Sequence, residues 1–144
     1  MQNPPPVQTT SQPPAQVAKS STGLDENIAA LLSYVAGWIT GLVFFMIEKD
    51  SRLVRFHAMQ SLIWCGGGMV LIIALWILIF ILSIIIGYIS SLLAFLVSTI
   101  LGLVIALAGL AILIGAIIAL IKAYQGQYFK LPVIGNFAEK FSAK

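Results

Sequence analysis

Ionisable side chains are scarce in this sequence and are missing altogether from its longest segment. Only 9% of the 144 residues are Asp, Glu, Lys or Arg, whereas 60% are hydrophobic; soluble proteins average about 25% charged and about 45–50% apolar residues. The 64 residues between His57 and Lys122 contain no Asp, Glu, Lys, Arg or His. Since about 18 apolar residues already suffice to cross a bilayer, the sequence predicts an integral membrane protein.

Other absences exclude whole classes of function. Cys65 is the only cysteine, so neither an intrachain disulfide nor a cysteine-based metal cluster is possible. His57 is the only histidine and has no Cys, Asp or Glu at ligand spacing. The HExxH, GxSxG and Gly-rich phosphate motifs are missing, and no acidic residue lies within a predicted span. We therefore expect no enzymatic activity, no metal and no cofactor.

The apolar segments predict an all-α bundle of three transmembrane helices. The first helix would cover residues 27–47, because 21 residues at about 1.5 Å each match a hydrocarbon core of about 30 Å. The long uncharged segment holds two more spans, since the only plausible turn near its middle is the GYISS sequence at residues 87–91. The predicted regions are a disordered Pro/Gln-rich tail at 1–23, spans at about 27–47, 61–86 and 91–121, and an interfacial, cytoplasmic tail at 125–144.

The basic residues predict how these helices are oriented. Seven of the eight Lys and Arg residues lie at the two ends of the uncharged segment, so both ends should be cytoplasmic. They flank apolar segments and form no dense basic stripe, which argues against a nucleic-acid partner. Three crossings then place the amino terminus outside and the carboxy terminus in the cytoplasm. The rival topology is a re-entrant first helix, kept inside and broken at Gly37 or Gly41.

Small residues predict where the helices pack together. Gly37 and Gly41 form a small-xxx-small pair, which allows close helix approach in lipid. In the third helix, bulky residues recur at steps of three and four and define one stripe, with small residues on both flanks. The stripe should face lipid, and the flanks that carry Gly102, Gly109 and Gly115 should face the other helices. The stripe consists of Leu103, Leu107, Leu110, Ile114, Ile117 and Ile121.

The stretch at residues 52–61 concentrates hydrogen-bonding side chains beside the membrane. A functional interpretation is a contact surface for lipid headgroups, a peptide or a partner subunit; the alternative is ordinary anchoring by basic side chains at the interface. The candidate interaction residues are Arg52, Arg55, His57, Gln60 and Ser61.

Several of these runs also resemble a known family. They read NIAALLSY at 27–34, GWITG at 37–41, EK at 48–49, VRFHAMQS at 54–61 and GQYFKLPVIG at 126–135. Together they resemble prokaryotic membrane proteins that carry the domain of unknown function numbered 4870. That family is described as similar to the twenty-kilodalton component of the chloroplast inner-envelope translocon. The resemblance implies a prokaryotic cytoplasmic membrane and a role near protein translocation, and it brings no catalytic residues.

These observations predict a structural or interaction subunit of the cytoplasmic membrane. Its expected partners are the lipid bilayer and either other membrane proteins or further copies of itself. The alternative is an oligomeric pore or carrier for small solutes.

Overall fold

The computed structural model describes residues 18–142, whose regular structure is helical apart from one isolated bridge between Lys19 and Asp25. This confirms the all-α prediction. Serine residues cap the starts of α3 and α5: Ser51 and Ser90 accept hydrogen bonds from the backbone N–H groups of Val54 and Leu93. The helices are α1 (Glu26–Leu32), α2 (Trp38–Ile47), α3 (Arg52–Ser61), a π-helical segment (Leu62–Gly67), α4 (Gly68–Gly87), α5 (Ser91–Tyr124) and α6 (Gly135–Ser142).

Two helices in the described part of the chain are long and apolar enough to cross a membrane. The first runs without interruption through α3, the π segment and α4 (Arg52–Gly87, 36 residues), and the second is α5 with 34 residues. A turn at residues 88–90 joins them. At about 1.5 Å per residue α5 is about 51 Å long, well beyond a hydrocarbon core of about 30 Å. The long helices therefore extend past the hydrocarbon or tilt within it.

The predicted first span at 27–47 is not one helix, and this prediction was wrong. The chain turns after α1, where Gly37 has a φ of 59°, a backbone conformation that glycine adopts without strain. Beyond the turn, α2 packs against α3 and the π segment, and the residue that follows it, Glu48, returns to the segment that precedes α1. There Ser21 donates from its hydroxyl to the carboxylate of Glu48, at 2.7 Å. Both ends of the α1–α2 hairpin thus lie at the same end of the molecule, as in the re-entrant alternative.

The structure also differs from the prediction of a disordered tail that extends to residue 23. Residues 18–23 were assigned to a disordered tail, yet Ser20 and Ser21 are hydrogen-bonded to Glu48. The hydroxyls of Ser20 and Ser21 and the backbone N–H of Ser21 supply the donors that make this attachment possible. The remainder of the predicted tail, residues 1–17, lies outside the described residues, as do residues 143–144.

The two ends of the molecule contain different numbers of helices. At the end where α5 finishes, its small residues Ala119 and Ala123 pack against Ala29 and Ala30 of α1. Helices α2 and α6 pack against α3 at the same end. At the other end, α4 and the first half of α5 form a two-helix hairpin whose large side chains are mostly exposed. The molecule is therefore wide at one end and narrow at the other.

The glycines of α5 lie on its inner side. A Cβ atom at Gly102 would lie 3.7 Å from the Trp76 ring, and one at Gly109 would lie 3.6 Å from Ile72. At Gly115 a Cβ atom would come within 2.7 Å of Trp64, whose indole N–H donates to the Ile112 carbonyl at 2.8 Å. All six residues of the bulky stripe are between 47% and 65% exposed.

Candidate functional site: a buried polar cluster at the wide end

Four polar side chains meet in the interior of the wide end, and we call Tyr34, His57, Gln60 and Ser61 the buried polar cluster. His57, Gln60 and Ser61 have no exposed surface, and Tyr34 is 6% exposed. The Gln60 amide donates to the Tyr34 hydroxyl at 3.1 Å, and that hydroxyl lies 3.3 Å from Nδ1 of His57. Tyr34 lies in the turn after α1, whereas the other three residues lie in the second half of α3.

The cluster connects α3 to two distant parts of the chain. The Gln60 amide donates to the Phe129 carbonyl at 3.0 Å, and its Oε1 accepts from the Leu131 backbone N–H at 3.2 Å. Nε2 of His57 lies 2.9 Å from the Gln127 carbonyl oxygen. The segment after α5 is thereby held against α3. Because buried polar groups are costly when unpaired, this network fixes the position of that segment.

The cluster also holds the turn of the α1–α2 hairpin. The Ser61 hydroxyl donates to the Gly37 carbonyl at 2.9 Å. Four residues on, Gly41 has no side chain where α2 crosses α3, and a Cβ atom there would lie 2.9 Å from both the Ala58 carbonyl oxygen and the Leu62 nitrogen. Gly37 and Gly41 therefore serve different purposes, since one makes the turn and the other allows close backbone contact.

The five candidate interaction residues divide into two groups. His57, Gln60 and Ser61 face the protein's own helices and have no surface to offer a partner. Arg52 is exposed, and Arg55 is partly buried with its guanidinium 5.0 Å from the centre of the Phe45 ring. In this conformation only the two arginines are left to contact a lipid or another protein.

Glu48 forms a second polar centre that sequence reasoning missed. It follows α2 and has no exposed surface. Its carboxylate accepts hydrogen bonds from the hydroxyls of Ser20 and Ser21 and from the backbone N–H groups of Ser21, Asp50 and Ser51. An acid followed by a polar loop was visible in the sequence, but Ser20 and Ser21, which donate their hydroxyls, precede it by more than 25 residues.

These hydrogen bonds set the ionisation of Glu48. Burial alone would raise the pKa of its carboxyl group, but the hydrogen bonds from Ser20, Ser51 and Ser21 outweigh that effect and lower the pKa from 4.5 to about 2. The ionised form is therefore the one that holds residues 20–21 against the end of α2.

We expect the stability of the protein to fall in acid because of Glu48. A pKa that is lower in the folded state stabilises the fold above the unfolded-state value near 4.5, and this contribution is lost as the pH falls towards 2. The ionised carboxylate therefore contributes to stability at neutral pH. Melting curves in detergent at pH 7 to pH 3, for the native chain and for Glu48→Gln, should show a difference that narrows with acid. Parallel curves across this range would contradict the assignment.

Within residues 18–142, no group of three or more His, Cys, Asp or Glu side chains is placed to hold a metal ion. The single cysteine of the chain, Cys65, lies in the π segment and its thiol is free. The polar centres described here consist of hydrogen bonds within the chain.

A comparison with protein families shows which family this chain is related to. A sequence model of the magnetosome magnetite crystal formation protein family matches residues 24–138, from the start of the α1–α2 hairpin to α6. The chain belongs to this family. The match includes both long helices, the buried polar cluster and the segment that the cluster holds.

Relatives of this family member occur in archaea. A UPF0132 membrane protein of Methanocaldococcus jannaschii is 42% identical over 126 residues, which cover 88% of this chain and 96% of the relative. A UPF0132 membrane protein of Archaeoglobus fulgidus is 40% identical over 117 residues, covering 81% and 95%. A second such protein of M. jannaschii is 36% identical over 140 residues, covering 83% and 71%. No solved structure matches this chain.

These matches correct the family predicted from the sequence. The assignment to proteins with the domain of unknown function 4870, and through them to the chloroplast translocon component, was wrong, because the family model and the relatives point elsewhere. The relatives and the two long apolar helices support a membrane protein.

Proposed function

We propose that this protein is a structural subunit of a prokaryotic cytoplasmic membrane that assembles side by side with further copies of itself. The observation that carries the proposal is that the buried polar cluster is bonded to the protein's own helices and loops. What the molecule presents to its surroundings is an apolar body and a basic end. We propose no enzymatic activity, no cofactor and no nucleic-acid partner.

We propose that the wide end faces the cytoplasm. Arg52, Arg55, Lys122 and Lys130 all lie at this end, and basic residues favour the cytoplasmic side of the membrane. Two crossings and a re-entrant hairpin then put the tail before Ser20 on the cytoplasmic side too. This revises the outside location that three crossings would require. The support is the contact of Ser20 and Ser21 with Glu48.

Two apolar grooves along α5 support lateral assembly. One has a volume of about 310 Å³, lies between α4 and α5, and includes Gly68, Gly109 and Ala116 in its lining. The other, of about 410 Å³, lies on the other side of α5 beside Gly115 and Pro132. Small residues at such positions let a further helix approach closely, and packing of this kind drives helix association in lipid.

The test compares two cysteines on α5 in a Cys65→Ala background. Leu113 lines the first groove and is 56% exposed, whereas Leu107 belongs to the bulky stripe and is 65% exposed. We expect oxidation in native membranes to crosslink Leu113→Cys into dimers at least about five times faster than Leu107→Cys, because packed helices hold groove residues together.

Equal crosslinking of the two variants would indicate random collision and would overturn the proposal, as would the absence of dimers from both. Solute flux through liposomes that contain the native chain would favour the alternative of an oligomeric pore or carrier. The family description names magnetite crystal formation. For this chain we propose the membrane part of such a process, an assembled patch of helices.

A further inference from the structure

A pocket at the wide end combines positive charge with apolar walls. It lies between α2, α3 and α6, has a volume of about 540 Å³, and we call it the cationic pocket. Its lining residues are Phe45, Arg55, Met59, Lys140 and Phe141. Both charged residues of this lining are cations.

The cations of this pocket lack an acidic partner in the described part of the chain. The ion pair found within residues 18–142 joins Lys130 to Glu139, which leaves Arg55 and Lys140 without a carboxylate. One guanidinium nitrogen of Arg55 donates to the Glu48 carbonyl at 2.9 Å, but its Nε is buried and has no hydrogen-bond partner. A buried donor without an acceptor is costly, so a small shift of the Arg55 side chain that brings Nε to an acceptor in the pocket would be favourable.

The apolar lining of the cationic pocket indicates which other chemical groups its ligand contains. Met59 and the rings of Phe45 and Phe141 are apolar, and the Phe45 ring already contacts the Arg55 guanidinium. On α6, Phe137 and Phe141 are more than half exposed while Ala138 is buried against the protein. An amphipathic helix with exposed aromatic residues is typical of a segment that lies at a membrane surface.

We propose that the cationic pocket binds the phosphate group of an anionic phospholipid. Arg55 and Lys140 would contact the phosphate oxygens, and Met59 and Phe141 would lie along the upper part of an acyl chain. A phosphate offers several acceptor oxygens to a guanidinium, which suits the unused donor of Arg55. The proposal goes beyond lateral assembly and does not depend on it, since every residue of the pocket belongs to one copy.

The experiment titrates the full chain, purified in a zwitterionic detergent, with phosphatidylglycerol and follows binding by native mass spectrometry. Phosphatidylcholine and inorganic phosphate serve as separate arms. We expect Lys140→Gln and Arg55→Gln to weaken phosphatidylglycerol binding about tenfold. The matched control is Lys49→Gln, which removes an exposed lysine of the same end outside the pocket and should change binding less than twofold.

Arg55 also donates a hydrogen bond to the Glu48 carbonyl, so Arg55→Gln could unfold the protein. In that case the Lys140→Gln variant decides the test. Unchanged binding by Lys140→Gln, or equal losses in Lys49→Gln, would overturn the site. Equal affinity for phosphatidylcholine would overturn the requirement for an anionic lipid, and equal affinity for inorganic phosphate would overturn the lipid as the source of the phosphate. If the groove cysteines failed to crosslink while lipid binding was retained, only the proposed function would be contradicted.

Discussion

Replacing Gln60 with methionine is expected to lower the free energy of unfolding by about 3 kcal/mol. Methionine fills a similar volume but leaves the Leu131 N–H, the Phe129 carbonyl and the Tyr34 hydroxyl without their Gln60 partner. The segment after α5 would lose two of the bonds that hold it to α3. For a chain of this size the loss corresponds to a melting temperature lower by about 10 °C in detergent.

The matched control is Gln125→Met, at an exposed position just beyond α5. Its side chain accepts only a 3.3 Å contact from Lys122 at the surface, so its melting temperature should change by less than about 2 °C. Similar melting temperatures for the two variants would show that the buried polar cluster does not hold the fold.

Replacing Gly41 with alanine should destabilise the α1–α2 hairpin by about 2 kcal/mol. The added Cβ atom would meet the Ala58 carbonyl oxygen and the Leu62 nitrogen at 2.9 Å, and backbone atoms cannot move aside as a flexible side chain can. The expected result is a melting temperature lower by about 6 °C in detergent.

The control for this substitution is Gly67→Ala in the π segment. A Cβ atom at Gly67 has no neighbour within 4 Å, and alanine favours a helix over glycine by about 1 kcal/mol. The control should therefore melt at the same temperature as the native chain or slightly higher. A Gly41→Ala protein as stable as this control would contradict the close crossing of α2 and α3.

The helical character and the turn between the long helices could be predicted because they follow from composition. An uncharged run must be helical in lipid, where backbone groups have no water to bond, and residues 87–91 offered its one plausible break. The α1–α2 hairpin could not be predicted in this way. The 21 residues of the predicted span at 27–47 match a full crossing in length, and only Gly37 marks the turn that the structure contains.

The residue types of the candidate site could be recognised in the sequence, but the sequence did not show whether these side chains face the surroundings or the protein interior. His57, Gln60 and Ser61 were visible as polar residues beside an apolar run, and a surface role was a natural interpretation. The main-chain partners of His57 and Gln60, at Gln127 and Phe129, lie about 70 residues away in sequence. No local pattern predicts such pairing, and the fold of the hairpin and the path of the chain after α5 both had to be known.

The unequal ends of the molecule have a consequence for the membrane itself. Helices α1, α2, α3 and α6 gather around the end of α5, whereas only α4 and α5 continue towards the turn at residues 88–90. In the orientation proposed above, we expect each copy to displace more lipid from the cytoplasmic leaflet than from the other. Many copies inserted in the same direction would enlarge that leaflet, and the bilayer would curve with the wide ends on its convex side.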